Sequence, residues 1–169
     1  MSDQGREPVS WPPDGNSPLI GILCGSSSDL PVIQQAGAIL ERFEIPYELR
    51  VVSAHRNPDE VDEYARKAEG RGLVAIIAAA GMANHLAGAV AARTVLPVIG
   101  VPLSGSKLEG VDALYSTVMM PTGVPVATVA VDGAKNAAIL AAQIVAVADR
   151  DVRARLSEFK EKLAEGLRP

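Results

Sequence analysis

Short apolar runs alternate with longer stretches of helical periodicity from Leu19 to the end of the chain. The apolar runs are nearly continuous, which is typical of strands buried on both faces of a parallel sheet. We therefore predict five strands, at Leu19–Cys24, Tyr47–Val52, Val74–Ala80, Pro97–Val101 and Val126–Val131.

The stretches between these strands carry apolar residues at spacings of three and four, as amphipathic helices do. Helices are predicted to begin near Leu30, near Val61 and at Leu86. Strand and helix thus alternate along the chain. The fold class predicted is α/β, a three-layer αβα sandwich with a parallel, flavodoxin-like sheet.

Two further helices are predicted in the last third of the chain. The first, Ala134–Ala148, is apolar almost all round, which indicates a buried helix. The second carries a narrow apolar stripe among charged residues, formed by Val152, Leu156, Phe159, Leu163 and Leu167. That stripe could pack on the body of the same chain or on a second subunit.

Residues 1–18 are rich in Pro, Gly and polar side chains and show neither period, so we expect a flexible N-terminal tail. Residues 19–169 are expected to form a single domain that ends in an extended C-terminal helix. The tail lacks the basic and apolar regions of a signal peptide, which predicts a cytoplasmic protein.

The composition of the chain excludes several kinds of binding site. The chain of 169 residues has a net charge of -4, which argues against a broad nucleic-acid surface. No apolar run approaches the roughly 18 residues of a membrane span, so no membrane association is expected. One Cys and two His are too few for a Cys/His zinc site. Any histidine chemistry must use His55 or His85.

A first candidate site is the segment Gly25-Ser26-Ser27-Ser28-Asp29, which follows the first strand and opens the first helix. Backbone N–H groups at a helix N-terminus bind phosphate, serine hydroxyls can donate to it, and Asp29 could accept from sugar hydroxyls. Simple capping of the helix explains the same residues equally well. The segment matches neither the P-loop nor the dinucleotide-binding pattern.

Two more candidate sites follow the second and third strands. Ser53-Ala54-His55-Arg56 presents a proton donor or acceptor beside an anion-binding guanidinium. After the third strand, the small-residue run Ala78-Ala79-Ala80-Gly81 leads into the loop that ends at His85. Each histidine alone could be a solvent-exposed or sheet-packed side chain. Because the carboxyl ends of parallel strands meet at one edge, we expect the three segments to converge on one crevice.

Several segments together resemble one known family. They are GSSSD after the first strand, SAHRNP after the second and AGMANHLAG after the third, then PVIGVP, LEGVDALYSTVMMPTGVPVATV and KNAAILAAQI. In this order they resemble the PurE family, N5-carboxyaminoimidazole ribonucleotide mutase, from about Leu19 to the final helix. The related class that carboxylates aminoimidazole ribonucleotide directly with CO2 typically has Lys where Arg56 stands, so the resemblance favours the mutase class.

The resemblance implies an isomerase of purine (IMP) biosynthesis that moves a carboxylate from the exocyclic N5 to C4 of the imidazole without metal or cofactor. It implies His55 as the general acid and base and His85 as a second catalytic residue, in the loop that covers the imidazole and its carboxylate. Phosphate would be bound by Ser26, Ser28 and Arg56. Gly25, Asp29, Ser53, Ala54 and Gly81 complete the implied substrate site.

The resemblance also implies assembly and partners. The family is octameric, which would explain the small-residue third helix and the extended last helix. An ATP-dependent N5-carboxyaminoimidazole ribonucleotide synthetase would supply the small-molecule substrate.

This chain departs from the family's usual third-strand loop at Ala79, Met82, Asn84 and Ala87. Two alternatives stay open: a carboxylase that uses CO2 directly, and a non-catalytic module that binds a phosphorylated ligand.

Overall fold

Five parallel strands form the centre of the computed structural model, which describes residues 17–168. They are β1 Ile20–Cys24, β2 Tyr47–Val51, β3 Ala75–Gly81, β4 Val98–Leu103 and β5 Ala127–Thr128, and they lie in the order β2-β1-β3-β4-β5. This is the flavodoxin-like order, so the predicted sheet is confirmed. Residues 1–16 of the expected tail lie outside the described residues.

Helices cover both faces of this sheet. They are α1 Leu30–Arg42, α2 Pro58–Ala68, α3 Leu86–Ala91, α4 Val111–Val118, α5 Ala134–Val145 and α6 Arg150–Ala164, with short 3-10 turns at Ser27–Asp29 and Glu69–Arg71. Alternate residues of β3 point to opposite layers: Ala75 and Ile77 pack with α1, α5 and α6, while Ile76 and Ala78 pack with α2 and α3. The three-layer prediction is therefore confirmed.

The C-terminal helix α6 packs on its own chain. Phe159 is 2% exposed, and its ring meets the ring of Phe43 edge-on at a centroid distance of 5.4 Å. Arg155 Nε also donates to the Phe43 carbonyl at 2.9 Å. Of the two packings that the apolar stripe left open, the structure has the one within the chain.

Helix α4 was not predicted from the sequence. Its outward residues Val111, Tyr115 and Val118 are 49%, 63% and 47% exposed, whereas Ala113 and Thr117 are buried. Apolar residues on both sides hide the helical period, because the period shows only when one side is polar.

Strand limits also differ from the prediction. β4 runs to Leu103 where the prediction ended at Val101, and β5 pairs over two residues where six were predicted. β5 is an edge strand with β4 as its single neighbour, and its two residues are partly exposed.

The topology places a crevice at the carboxyl edge of the sheet. The chain leaves β1 for β2 on one side and then crosses to β3 on the other, so the loops after β1 and β3 diverge. The Gly25 N–H still donates to the Ala79 carbonyl at 3.0 Å, which holds the two strand ends together at the base of the crevice. No helix within residues 17–168 is long and apolar enough to cross a membrane.

Candidate functional site

A cavity of about 710 Å³ lies at this edge of the sheet. All ten residues that the sequence singled out line it: Gly25, Ser26, Ser28, Asp29, Ser53, Ala54, His55, Arg56, Gly81 and His85. The three strand-end segments therefore share one cavity. The roles assigned to these residues stay predictions.

The loop after β1 is ordered by its own hydroxyl groups. Ser26 Oγ accepts from the Ser28 N–H at 3.3 Å and caps the 3-10 turn. The Ser28 hydroxyl lies 3.0 Å from Ser26 Oγ and 3.3 Å from Asp29 Oδ1, either of which can accept its proton. Asp29 makes no capping hydrogen bond to α1. Capping thus accounts for Ser26, and it leaves the Asp29 carboxylate for the cavity.

Arg56 joins the loop after β2 to the loop after β1. Its Nη2 donates to the Gly25 carbonyl at 2.8 Å. A Cβ at Gly25 would lie 3.2 Å from the Cβ of Ala80, so a glycine lets the first loop approach β3 this closely. The other guanidinium donors of Arg56 are on an exposed side chain at the cavity wall.

The loop after β2 is a tight turn that starts helix α2. The Ser53 carbonyl accepts from the Asn57 N–H at 2.8 Å, and Ser53 Oγ accepts from the Arg56 N–H at 3.4 Å. Pro58 then begins the helix, where its fixed φ is suitable and its missing N–H costs nothing. The turn presents His55 and Arg56 side by side.

The two histidines of the chain meet in the cavity. His55 Nε2 lies 2.7 Å from His85 Nδ1, and the ring planes are inclined at 74°. Such a hydrogen bond needs one protonated and one unprotonated nitrogen. If neutral His55 donates through Nε2, its Nδ1 is unprotonated and can accept a proton. If Nε2 instead accepts from His85, the Nδ1 of neutral His55 carries the proton. The tautomers of His55 and His85 are therefore coupled through this hydrogen bond.

Burial sets the ionisation of two groups at the end of β1. It raises the pKa of Asp29, against the Ser28 hydroxyl, the Ser26 backbone and the Arg56 charge, which all lower it. Burial, with the negative charge of Asp29 in addition, raises the pKa of the Cys24 thiol to about 11. Cys24 is thus a buried core thiol and not an activated nucleophile.

The sequence prediction missed the fourth and fifth strand ends. The last residue of β4, Leu103, lines the cavity together with Ser104 and Gly105 after it and Asp132 after β5. Asp132 has a φ of 56°, and its Oδ1 accepts from the Ser104 N–H at 3.0 Å. The signal that could have found them is the one used for the first three segments, applied to every strand of the sheet.

The cavity groups are suited to a phosphorylated ligand. Serine hydroxyls and the Arg56 guanidinium can donate to phosphate, the Asp29 carboxylate can accept from hydroxyl groups, and the histidine pair can move a proton. Among residues 17–168, no three His, Cys, Asp or Glu side chains lie close enough together to hold a metal ion.

Comparison with known proteins gives consistent matches over most of the chain. A family model described as AIR carboxylase matches residues 19–166. A Thermotoga maritima N5-carboxyaminoimidazole ribonucleotide mutase is 56% identical over 146 residues, which are 86% of this chain and 85% of that one. A Schizosaccharomyces pombe phosphoribosylaminoimidazole carboxylase is 54% identical over 149 residues, 88% of this chain but 27% of that longer protein. The crystal structure of Treponema denticola PurE superposes with a TM-score of 0.80 at 32% identity, covering 88% of this chain and 92% of that one.

Proposed function

The chain belongs to the AIR carboxylase family, as its resemblance to PurE predicted, and we propose that it is an N5-carboxyaminoimidazole ribonucleotide mutase. Relatives of that name share more than half of the aligned residues with this chain, and the alignment covers most of their length. The observation that carries the proposal is the histidine pair, His55 and His85, in one cavity with an anion-binding loop. The residues that the resemblance singled out all line this cavity, which supports the proposal.

The proposed reaction is an isomerisation, so substrate and product contain the same atoms. The N5–carboxylate bond breaks and releases CO2, and N5 takes a proton. C4 of the imidazole then attacks the CO2, a carbon–carbon bond forms, and the C4 proton leaves. One proton enters and one departs, so a single shuttle is enough. His55 carries the proton between N5 and C4, and His85 is its hydrogen-bond partner through Nδ1.

Substrate binding is proposed to use the polar end of the cavity. Ser26, Ser28 and Arg56 bind the phosphate, and Asp29 accepts from the ribose hydroxyls. Gly25 supplies the carbonyl that holds Arg56 in place at 2.8 Å. These contacts fix the ribonucleotide, so that the released CO2 stays next to C4.

The loops around the cavity complete the proposed site. Ser53 and Ala54 hold the second loop against the substrate through the turn that begins α2. Gly81, which lies against the backbone of Leu103, opens the third loop over the imidazole and its carboxylate.

Retention of CO2 needs a site closed to water. Both histidines and Arg56 are exposed on the single chain. We infer that a homo-octamer closes the site, supported by the apolar outer side of α4, where Tyr115 is 63% and Met119 is 77% exposed. The apolar stripe of α6 is already covered within the chain, so it is not the contact that the octamer would use.

The remaining parts of the proposal concern the setting of the enzyme. Residues 19–169 act as one catalytic domain in the cytoplasm. An ATP-dependent synthetase supplies the N5-carboxylated ribonucleotide. No nucleic acid or membrane takes part, in keeping with the net charge of -4.

The direct carboxylase is the alternative that one comparison favours, since the Schizosaccharomyces pombe relative is named a carboxylase. The experiment supplies either N5-carboxyaminoimidazole ribonucleotide with a 13C-labelled carbamate or aminoimidazole ribonucleotide with 13C-bicarbonate, and NMR follows the label. We expect rapid transfer of the label to C4 from the carbamate. Efficient turnover of bicarbonate with none of the carbamate would establish the carboxylase instead.

A His55→Asn variant separates catalysis from simple ligand binding. Loss of the proton shuttle should lower kcat by about 100- to 10,000-fold, while the ribonucleotide still binds. A variant with the wild-type isomerisation rate would refute the assignment of His55. A wild-type chain that binds the nucleotide without converting it would show the non-catalytic module.

A further inference from the structure

The loop between β3 and α3 has one residue turned into the protein. Met82 and Ala83 are exposed, and Met82 adopts a left-handed φ of 54°. Asn84, the next residue, is 0% exposed, and His85 then returns to the cavity. A polar side chain is thus buried directly beside one of the two histidines.

Asn84 is tied to two other elements. Its Nδ2 donates to the Val101 carbonyl of β4 at 3.3 Å. Its backbone N–H donates to the hydroxyl of Ser116 on α4 at 2.8 Å, and shares that proton with the Met82 carbonyl at 3.1 Å. Ser116 Oγ lies 2.9 Å from the Asp112 carbonyl of its own helix, to which it can donate. The loop is therefore anchored to the sheet and to α4 at the residue before His85.

The anchor is poorly suited to a purely stabilising role. Asn84 Oδ1 is buried with no hydrogen-bond partner. A buried polar atom without a partner costs free energy, and an apolar side chain in the same space would avoid that cost. What the amide does provide is a directional bond that an apolar side chain cannot make.

The orientation of His85, the next residue, depends on how firmly this loop is held. The 2.7 Å contact between His85 Nδ1 and His55 Nε2 persists only if the two rings stay within a few tenths of an ångström of this geometry. An active site reaches that precision when buried contacts hold the residues that carry its functional groups.

We propose that Asn84 is a positioning residue that holds His85 against His55 and so maintains the hydrogen bond between the two imidazoles. Its effect on turnover rests on the proposed function, whereas its effect on the two imidazoles does not. Asn84 makes no contact with the substrate in this proposal. It acts through the backbone of His85.

The test measures the imidazoles directly in the ligand-free protein. The chain has two histidines, so 15N NMR resolves their four ring nitrogens without crowding. In Asn84→Ala we expect changed 15N shifts of both rings, kcat lower by about tenfold or more, and a KM within about twofold of the wild type. We expect the Tm to stay within about 2 °C, because the variant also removes the unpaired oxygen.

The matched control is Thr117→Val. Thr117 is the other fully buried polar side chain in the described part of the chain, and its hydroxyl donates to Ala113 within α4. This variant should leave the imidazole spectrum and kcat unchanged. Unchanged imidazole shifts and kcat in Asn84→Ala would overturn the proposal. A large fall in Tm with an unchanged imidazole spectrum would also overturn it, since that pattern belongs to a purely structural residue.

A second pair of variants covers the case in which Asn84→Ala fails to fold. Ser116→Ala removes the acceptor of the Asn84 N–H, and we expect smaller changes in the same 15N signals. Ser157→Ala on α6 removes a similar hydrogen bond, from a serine hydroxyl to the carbonyl four residues earlier. It should change none of the imidazole 15N signals. Identical imidazole spectra in the two serine variants would count against the anchor. A wild-type protein without isomerase activity would refute the proposed function and leave this comparison valid.

Discussion

Removal of the Arg56 guanidinium tests the anion-binding end of the cavity. Arg56 donates one N–H to the Gly25 carbonyl at 2.8 Å, and its remaining donors are available to a phosphate. Arg56→Ala should therefore weaken the binding of the ribonucleotide more than the chemical step. The change is expected mainly in KM.

The magnitude follows from the bonds that are lost. A hydrogen bond to a charged group contributes about 1.5 to 3 kcal/mol, and Arg56 would make at least one to the phosphate. A loss of about 2 to 3 kcal/mol corresponds to a fall in kcat/KM of about 30- to 150-fold. Arg56→Lys keeps the charge but not the fork of donors, so an ammonium cannot hold Gly25 and the phosphate in the same geometry. The kcat/KM of Arg56→Lys should lie between that of the wild type and that of Arg56→Ala.

Initial rates of label transfer from the 13C-carbamate give kcat and KM for each variant. Arg66→Ala is the matched control, because it removes an exposed arginine that pairs with Asp62 on α2. It should leave both constants within about twofold of the wild type, since exposed ion pairs contribute little. The reasoning is refuted if Arg56→Ala has an unchanged KM, or if Arg66→Ala raises KM as much.

Three further predictions concern other parts of the molecule. Burial holds the pKa of Asp29 above its ordinary value, so the fold disfavours the ionised form, and Asp29→Asn should raise the Tm at neutral pH. This advantage should shrink as the pH falls through the raised pKa of Asp29 and be gone once the pH is below the ordinary carboxyl value. The same variant should lower kcat/KM by about tenfold. An unchanged Tm at neutral pH would contradict this. Phe159→Ala should lower the free energy of unfolding in urea by about 3 to 5 kcal/mol, because the ring is buried against Phe43, and a loss below about 1 kcal/mol would show that α6 does not pack there in solution. The Cys24 thiol, with its pKa raised to about 11, should not react with a disulfide reagent at pH 8 until the protein is unfolded, and rapid reaction of the native protein would disprove its burial.

The sheet and most helices could be predicted because hydrophobic periodicity reports burial. β3 was found from a continuous apolar run, since helices cover both of its faces. Helix α4 was not found, because Tyr115 and Val118 present apolar surface to the outside and the pattern loses its polar side. Periodicity therefore fails on an element whose outer side is itself apolar.

The candidate site could be predicted in its composition but not in its geometry. The topological rule collects the polar residues at the strand ends, which is how Ser26, His55 and His85 were found. β1 lies between β2 and β3, which puts those two strands about 10 Å apart. No local pattern shows that their loops lean together until two imidazoles are 2.7 Å apart. Burial of Asn84 depends in the same way on the position of α4, which the sequence did not reveal.

The shielded thiol at the end of β1 has a practical consequence. Cys24 is the single cysteine of the chain and is fully buried. A cysteine introduced at Ser104, which is exposed at the cavity wall, would be the one thiol that a maleimide dye can modify in the native protein. The wild-type chain is thus already a background in which each chain can carry one dye at a chosen position, and the fluorescence of a dye at the cavity wall would report when ligand occupies the cavity.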